Sequence, residues 1–263
     1  MAASGKDWDA AQYLKFERER TRPSLDLLSQ VPLANPKRVL DLGCGPGNST
    51  AVLLRRFPNA QITGIDSSPD MIGKAKKTLP GIEFRLEDLT SVKDTEDADL
   101  LFSNAVYQWL PYEKRLQIFS DLIKSQKTGG VFAFQVPDNM LEPSHVAMRS
   151  VAEEGPWSEM FKRHPPARKP FQSPQEIYDR LKPLCSDVNI WHTSYYHILD
   201  GHEAIVEWVK ATGLRPFLDP LSASEREEFL AAYLKRIQEV YPPLHDGKVC
   251  LRFPRLFVVA VRA

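Results

Sequence analysis

The stretch Val39-Leu40-Asp41-Leu42-Gly43-Cys44-Gly45-Pro46-Gly47-Asn48-Ser49-Thr50 joins a short apolar run to three alternate glycines and then to helix-capping residues. This is the pattern of a β-strand that ends in a tight turn and opens a helix. Glycines in such a turn take backbone conformations closed to other residues and present no side chain to exclude a ligand. Asp41, at the mouth of the strand, is placed to accept a hydrogen bond from an ammonium or hydroxyl group. A ligand is therefore expected against bare backbone, with the N-terminus of the following helix pointing at it.

Two common glycine loops do not fit. The dinucleotide fingerprint G-x-G-x-x-G uses its last glycine to seat the helix on the strand, whereas here the spacing is G-x-G-x-G with Pro46 inside. The phosphate-binding P-loop requires Gly-Lys-Ser/Thr, and this stretch has no lysine. The spelling Asp41-Leu-Gly-Cys-Gly-Pro-Gly-Asn48 instead resembles motif I of the S-adenosylmethionine-dependent methyltransferases of the seven-stranded, Rossmann-like class.

Outward from this loop, short apolar strands alternate with amphipathic helices. Strands are expected at 38–42, 61–66, 82–87, 99–103 and 131–136, with helices at about 49–57, 70–79 and 113–125 between them. Such alternation indicates a parallel sheet covered on both faces. After Pro137 a helix is expected at 143–154, followed by a basic, proline-rich loop at 162–170. A helix at 173–181 has Ser173 as N-cap and Pro174 in its first turn. A strand at 188–199, helices at 202–211 and 222–240, and a last strand at 248–261 complete the chain; Ser222 and Glu225 form a capping box. The expectation is an α/β fold: a Rossmann-like seven-stranded methyltransferase sheet with helices on both faces. An N-terminal helical segment and a helical cap inserted between the last two strands are added to it. Within one domain, 1–263, the parts are an N-terminal helical lid (1–30), a cofactor-binding core (37–136) and a helical and loop segment (137–187). The cap insertion (201–247) and the last strand (248–263) follow.

Composition narrows the function classes. The chain has 263 residues, and 34 Lys and Arg balance 34 Asp and Glu. No global charge draws it to nucleic acid or an anionic membrane. The apolar run 256–261 is far too short to span a bilayer, and residues 1–9 lack the apolar core of a signal peptide. Three cysteines, Cys44, Cys185 and Cys250, argue against a disulfide framework and a zinc site. A cytoplasmic protein without a bound metal is expected.

Asp41, Asp66 and Asp88 end three successive expected strands. Asp66 falls 19 residues after Gly47, near the roughly 20-residue offset at which an acid meets a ribose diol. Hydrogen bonds from both hydroxyls to a carboxylate are charge-assisted. Asp88, 22 residues further, is placed to accept from an adenine amino group. The plain alternative for each acid is a turn or helix cap. The fourth strand runs into Asn104-Ala105-Val106-Tyr107-Gln108-Trp109, setting amide and aromatic groups where a transferred group would lie. Trp109 reads equally as core packing.

Further segments narrow the resemblance. Tyr13-Leu-x-Phe16-x-x-Glu-Arg-Thr-Arg22-Pro23, Gly64-Ile-Asp66-Ser-Ser-Pro-Asp-Met71, Asn104-Ala-x-x-Gln108-Trp-Leu-Pro111 and Pro137-Asp-Asn139 resemble the trans-aconitate methyltransferase family. So do Trp191-x-Thr-x-Tyr-Tyr-His197, Trp208-Val-x-Ala-Thr-Gly-Leu-Arg215-Pro216 and Phe253-Pro-Arg-Leu-Phe257. The likeness runs from about residue 8 to 261, while the segment 161–170, with its basic, proline-rich loop, departs from the family pattern.

The resemblance implies methyl transfer from S-adenosylmethionine to one carboxylate of a small unsaturated tricarboxylic acid, yielding a monomethyl ester and S-adenosylhomocysteine. Carboxylic acids titrate near pH 4, so the nucleophile is already ionised. No general base, and hence no catalytic residue, is expected; positioning in a water-poor pocket carries the rate. The implied cofactor contacts are Asp41, Gly43, Cys44, Gly45, Gly47, Asp66, Ser67, Met71, Asp88, Leu89, Asn104 and Ala105, with Tyr13 and Arg22 from the N-terminal segment. The implied substrate contacts are Arg215, Arg255 and Arg20, as cationic forks, with Gln108, Trp109, Tyr195 and His145.

Each has a structural alternative. Arg215 reads also as a charge on a helix C-terminus, Arg255 as half of a core pair, and Arg20 and Arg22 as surface ion pairs. His145 and Tyr195 read also as packed core groups. The expected partner is a small polycarboxylate, with no nucleic acid or membrane, acting on a monomer or weak oligomer. Two rival functions remain: a methyltransferase for an amine or phenol, using a base such as His145, and a non-catalytic S-adenosylmethionine-binding protein.

Overall fold

The computed structural model describes residues 17–263 except 91, 93, 94, 167, 168 and 211. Strand and helix alternate through α1 (Glu17–Ser29), β1 (Arg38–Leu42), α2 (Asn48–Arg56), β2 (Gln61–Asp66), α3 (Pro69–Thr78), β3 (Glu83–Leu86), β4 (Leu100–Asn104), α4 (Tyr112–Ser125) and β5 (Val131–Pro137). Then follow α5 (Pro143–Glu154), α6 (Ser158–Arg163), α7 (Pro174–Leu181), β6 (Cys185–Leu199), α8 (His202–Lys210), α9 (Arg215–Leu218), α10 (Ala223–Val240) and β7 (Val249–Arg262).

The seven strands form one sheet in the order β3-β2-β1-β4-β5-β7-β6. β1 pairs in parallel with β2 and β4, β2 with β3, and β4 with β5. β7 returns antiparallel to β5, from Val131 opposite Val261 to Pro137 opposite Arg255. The strand order reverses between β1 and β4. In open α/β sheets that reversal opens a crevice at the carboxyl ends of the strands. The glycine loop leaves β1 there, beside the loop that leaves β4.

The central strands are apolar almost throughout because the sheet is covered; residues 131–136 are all buried. Leu40, Leu42, Ile65, Leu101, Phe132, Phe134 and Val258 share one core. Tyr107, just after β4, anchors its loop there, edge-on to Phe119 at 5.0 Å and Phe134 at 5.5 Å between centroids. Offset or edge-on aromatic pairs of this kind add about 0.5–1.5 kcal/mol beyond area burial.

The chain divides into two compact units. One holds residues through Pro137 together with 171–193 and 255–263; the other holds 138–170 and 194–254. The segment expected as one piece at 137–187 is thus shared between them, since α7 packs on α4. In the second unit α10 packs on α5 and α8. Trp157, Phe161 and Phe217 close around Phe229 there. Both expected capping boxes form, Ser173 with Glu176 and Ser222 with Glu225. Two details differ from expectation. Lys162 and Arg163 close α6 instead of opening the proline-rich loop. The insertion before β7 gains the single turn α9, started by Pro216 in its first turn, where a missing N–H costs nothing.

Candidate active site

Gly43, Gly45 and Gly47 all take left-handed φ values, 78, 55 and 98°. Their free space is not equivalent. A Cβ on Gly43 would lie 2.3 Å from Val106 Cγ2, and one on Gly47 would lie 3.4 Å from Leu79 and 3.6 Å from Ala75 of α3. On Gly45 it would meet nothing within 4 Å. Val106 therefore takes the space at Gly43, a Cβ at Gly47 would make ordinary contact with Leu79 and Ala75, and of the three only Gly45 turns bare backbone to an open face.

Asp41 is not at the mouth of the loop but fully buried beneath it. Its Oδ2 accepts from Ser49 Oγ at 2.7 Å and Thr50 Oγ1 at 2.6 Å, tying β1 to the first turn of α2. Burial pushes its pKa up to about 6, against the pull of both hydroxyls, and the charge of Asp66 adds to the rise. Its Oδ1 has no hydrogen-bond partner among the described residues. A buried acceptor of this kind calls for a donor from a ligand or water.

Asp66 is half-buried at the end of β2. Its Oδ2 accepts from Gly45 N and its Oδ1 from Ser68 N, both at 2.9 Å. A carboxylate offers about four acceptor sites, so an acid that braces the glycine loop has the capacity to receive a diol as well. Ser68 caps α3 by accepting from Met71 N at 3.2 Å, leaving Ser67 exposed and Met71 buried. Cys44 is buried, and burial followed by the charges of Asp41 and Asp66 pushes its thiol far up, which makes it unreactive. Asp88 is exposed and its Oδ1 accepts from Thr90 N and Oγ1, each at 2.8 Å, the turn role that such an acid favours. Leu89 packs on the core.

The loop after β4 is fixed from two sides. Ala105 holds a φ of 62°, a sparsely populated region for a non-glycine residue. Its N–H donates to Gln135 O at 2.9 Å. Gln108, expected on the substrate, is buried and turns back, Nε2 donating to Ala105 O at 2.6 Å. Arg115, 1% exposed, donates to the carbonyls of Gln108 and Leu110 at 3.0 Å each and lies 4.9 Å over the Phe171 ring. Trp109 is half-buried on this turn. Asn104 Oδ1 accepts from Gln135 Nε2 at 2.5 Å, and Gln135 Oε1 accepts from Arg255 Nη1 at 3.1 Å. Arg255 is thus buried and bonded to a neutral amide.

Arg20 is buried on α1, whereas Arg22 is exposed and pairs with Asp26 at 3.8 Å. Tyr13 lies outside the described residues. Arg215 does not end a cap helix; it opens α9 and lies 3.6 Å from Asp219. In that same unit His145 is buried, 3.2 Å from Ser144 Oγ, and Tyr195 is buried 6.3 Å from the stacked His197 ring. His145, Pro216 and Phe217 line a cavity of about 330 Å³ with Met140, Met148 and Arg149; Arg215 is not among its walls. The reading of the chain missed Ser49, Thr50, Val106, Arg115 and Gln135. Only Gln135 carried a signal, as a lone polar residue in an apolar strand.

The reversed strand order, with a braced glycine loop and an open face at its middle glycine, is the framework of an S-adenosylmethionine-dependent methyltransferase, and this chain is one. Residues 39–130 match the family described as methyltransferase domain. The fold is shared with the YcgJ protein of Bacillus subtilis, at a TM-score of 0.59 and 13% identity over 92% of this chain and 98% of that one. It is shared also with a phosphoethanolamine N-methyltransferase 2 of Haemonchus contortus in complex with S-adenosylhomocysteine, at a TM-score of 0.54 and 18% identity, over 92% of this chain and 52% of that one. Over nearly its full length the chain is 53% identical to the trans-aconitate 2-methyltransferase of Rhodopseudomonas palustris (strain BisB18), covering 97% of this chain and 99% of the relative. It belongs to the trans-aconitate 2-methyltransferase family. Among the described residues no helix is long and apolar enough to cross a membrane.

Proposed function

We propose that this chain transfers a methyl group from S-adenosylmethionine to one carboxylate of trans-aconitate, forming a monomethyl ester. The observation that carries this reading is the 53% identity that extends over 97% of the chain, well past the domain common to methyltransferases. The number in the relatives' name points to the carboxylate at position 2.

Gly45 and Asp66 are the groups that would hold the cofactor: an open backbone face, and a carboxylate at the end of β2 with the acceptor capacity for a diol. The buried Asp41 Oδ1 is suited to accept from its ammonium, directly or through water. Asn104 and Ala105 stand on the adjoining loop. When bound, the sulfonium supplies an electrophilic methyl carbon. The acceptor carboxylate needs no proton removed at neutral pH, so the protein's task is orientation and exclusion of water. The remaining carboxylates require cations with forked donors, for which Arg20 and Arg255 are the candidates in the unit that holds the glycine loop. The reading includes a cytoplasmic monomer or weak oligomer that binds no nucleic acid, supported by the balanced charge and by free cysteines.

Incubation with S-adenosylmethionine and trans-aconitate should yield an alkali-labile methyl ester by mass spectrometry, with NMR locating it. Turnover of an amine or phenol but not of trans-aconitate overturns the acceptor. Cofactor binding with no turnover in any acceptor screen leaves a non-catalytic binder.

A further inference from the structure

Asn104, Gln135 and Arg255 lie on three adjacent strands, β4, β5 and β7. Asn104 is in register with Gln135, and Pro137, two residues on from Gln135, is in register with Arg255. Side chains alternate along a strand, so all three share one face of the sheet. The hydrogen bonds between them run in one direction, from Arg255 Nη1 to Gln135 Oε1 at 3.1 Å and from Gln135 Nε2 to Asn104 Oδ1 at 2.5 Å.

That direction has a chemical cause. An amide can be turned over, exchanging its donor and acceptor ends, but a guanidinium has donors only. Arg255 therefore forces Gln135 to offer its carbonyl, which leaves the Gln135 NH2 facing Asn104. Asn104 must answer with Oδ1, and its own NH2 is turned away from the relay. Among the described residues that NH2 has no hydrogen-bond partner, and Asn104 is half-buried. Asn104 ends β4 at the crevice, one residue before Ala105 and two before Val106, whose side chain fills the space over Gly43.

We propose that Arg255 is a positioning residue: it fixes Asn104 as a hydrogen-bond donor aimed into the cofactor and acceptor site, to meet a carboxylate oxygen. The carboxylate comes from the methionine part of the cofactor or from the acceptor acid. The inference rests on the methyltransferase reading and gives Arg255 a role other than direct capture of the substrate.

The decisive variant is Gln135→Glu. A carboxylate still accepts from Arg255 but has no proton to give Asn104, so the Asn104 amide turns over and presents its carbonyl to the site. Loss of one hydrogen bond to a charged group corresponds to a 10- to 100-fold weakening. Calorimetry with S-adenosylhomocysteine and the KM for trans-aconitate are measured on wild type, Gln135→Glu, Asn104→Ala and the double variant, with thermal melts alongside. A drop in S-adenosylhomocysteine affinity assigns the donor to the cofactor; a rise in KM alone assigns it to the acid. Either supports the inference if the melting temperature of Gln135→Glu holds and the double variant is no worse than the single ones, because both remove the same donor. Arg255→Lys, still donor-only, should retain more binding than Arg255→Gln, which frees the direction. Wild-type affinity and KM in Gln135→Glu overturn it, as does equal loss in Arg255→Lys and Arg255→Gln. Should wild type fail to methylate trans-aconitate, the functional reading falls, while the calorimetric arm still tests the relay.

Discussion

Val106 occupies the space that a side chain at residue 43 would need: a Cβ added to Gly43 would lie 2.3 Å from Val106 Cγ2 and 2.8 Å from Cγ1. The two loops at the crevice are therefore fitted to each other, and the glycine serves that fit. Gly43→Ala adds a left-handed φ of 78° to the clash and should cost about 2–4 kcal/mol. Adding Val106→Ala should recover the steric part and leave about 1 kcal/mol of backbone cost. Gly45→Ala meets no atom within 4 Å, so it should cost only that backbone part and instead weaken S-adenosylhomocysteine binding. Urea unfolding with calorimetry separates the three; a Gly43→Ala protein as stable as wild type would discard the fit.

Asp41 governs a pH dependence. Its folded pKa of about 6 lies above the ordinary 3.8, so the folded state holds the proton more tightly than the unfolded chain. Stability from this group is fully present below pH 3.8 and is lost as pH rises through 6, a change of roughly 3 kcal/mol. Asp41→Asn keeps an acceptor for Ser49 and Thr50 but cannot ionise. It should be more stable than wild type at pH 7 and about equal near pH 4, while binding S-adenosylhomocysteine less tightly. Denaturant midpoints at pH 4, 5, 6 and 7 test this; parallel curves for the two proteins would count against it.

Arg115→Met keeps contact with Phe171 but removes both donors to the Gln108 and Leu110 carbonyls. The expected loss is about 2–4 kcal/mol. Amide exchange should quicken at Trp109 and Leu110, whose N–H groups donate to Val106 and Tyr107 in the same turn. Unchanged protection at those two amides would show that the turn holds without the guanidinium.

In the second unit Tyr233 Oη donates to Ser144 O at 3.0 Å, and Ser144 N donates to Tyr241 Oη at 3.1 Å. Both backbone groups of Ser144 are thus clamped, from α10 and from its end. Tyr233→Phe should cost about 1–2 kcal/mol, because a buried carbonyl loses its donor. Thermal melts of Tyr233→Phe, Tyr241→Phe and the double variant should show losses that do not add; fully additive losses would mean the two tyrosines act separately.

Much of the fold was legible because its signals are local. The expected helix at 143–154 matches α5 residue for residue, and Ser222 with Glu225 marks the start of α10 as the capping box does. The span between Gly47 and Asp66 is short enough for spacing alone to bring the acid to the loop. Arg215 opens a turn and does not close a helix, because Pro216 starts α9 there. Asp88 was legible by spacing, but its turn with Thr90, two residues on, was visible only in the structure.

Read alone, the chain dictates a strand, a glycine turn and a helix, and the family to which they belong, because φ restrictions and capping bonds act within a few residues. Which glycine faces open space was decided only by tertiary structure, since Val106 and Ala75 arrive from other elements. The same holds for the direction of the Asn104 amide. It follows from a guanidinium 120 residues beyond Gln135, brought alongside because β7 returns antiparallel to β5, a pairing that no local pattern encodes.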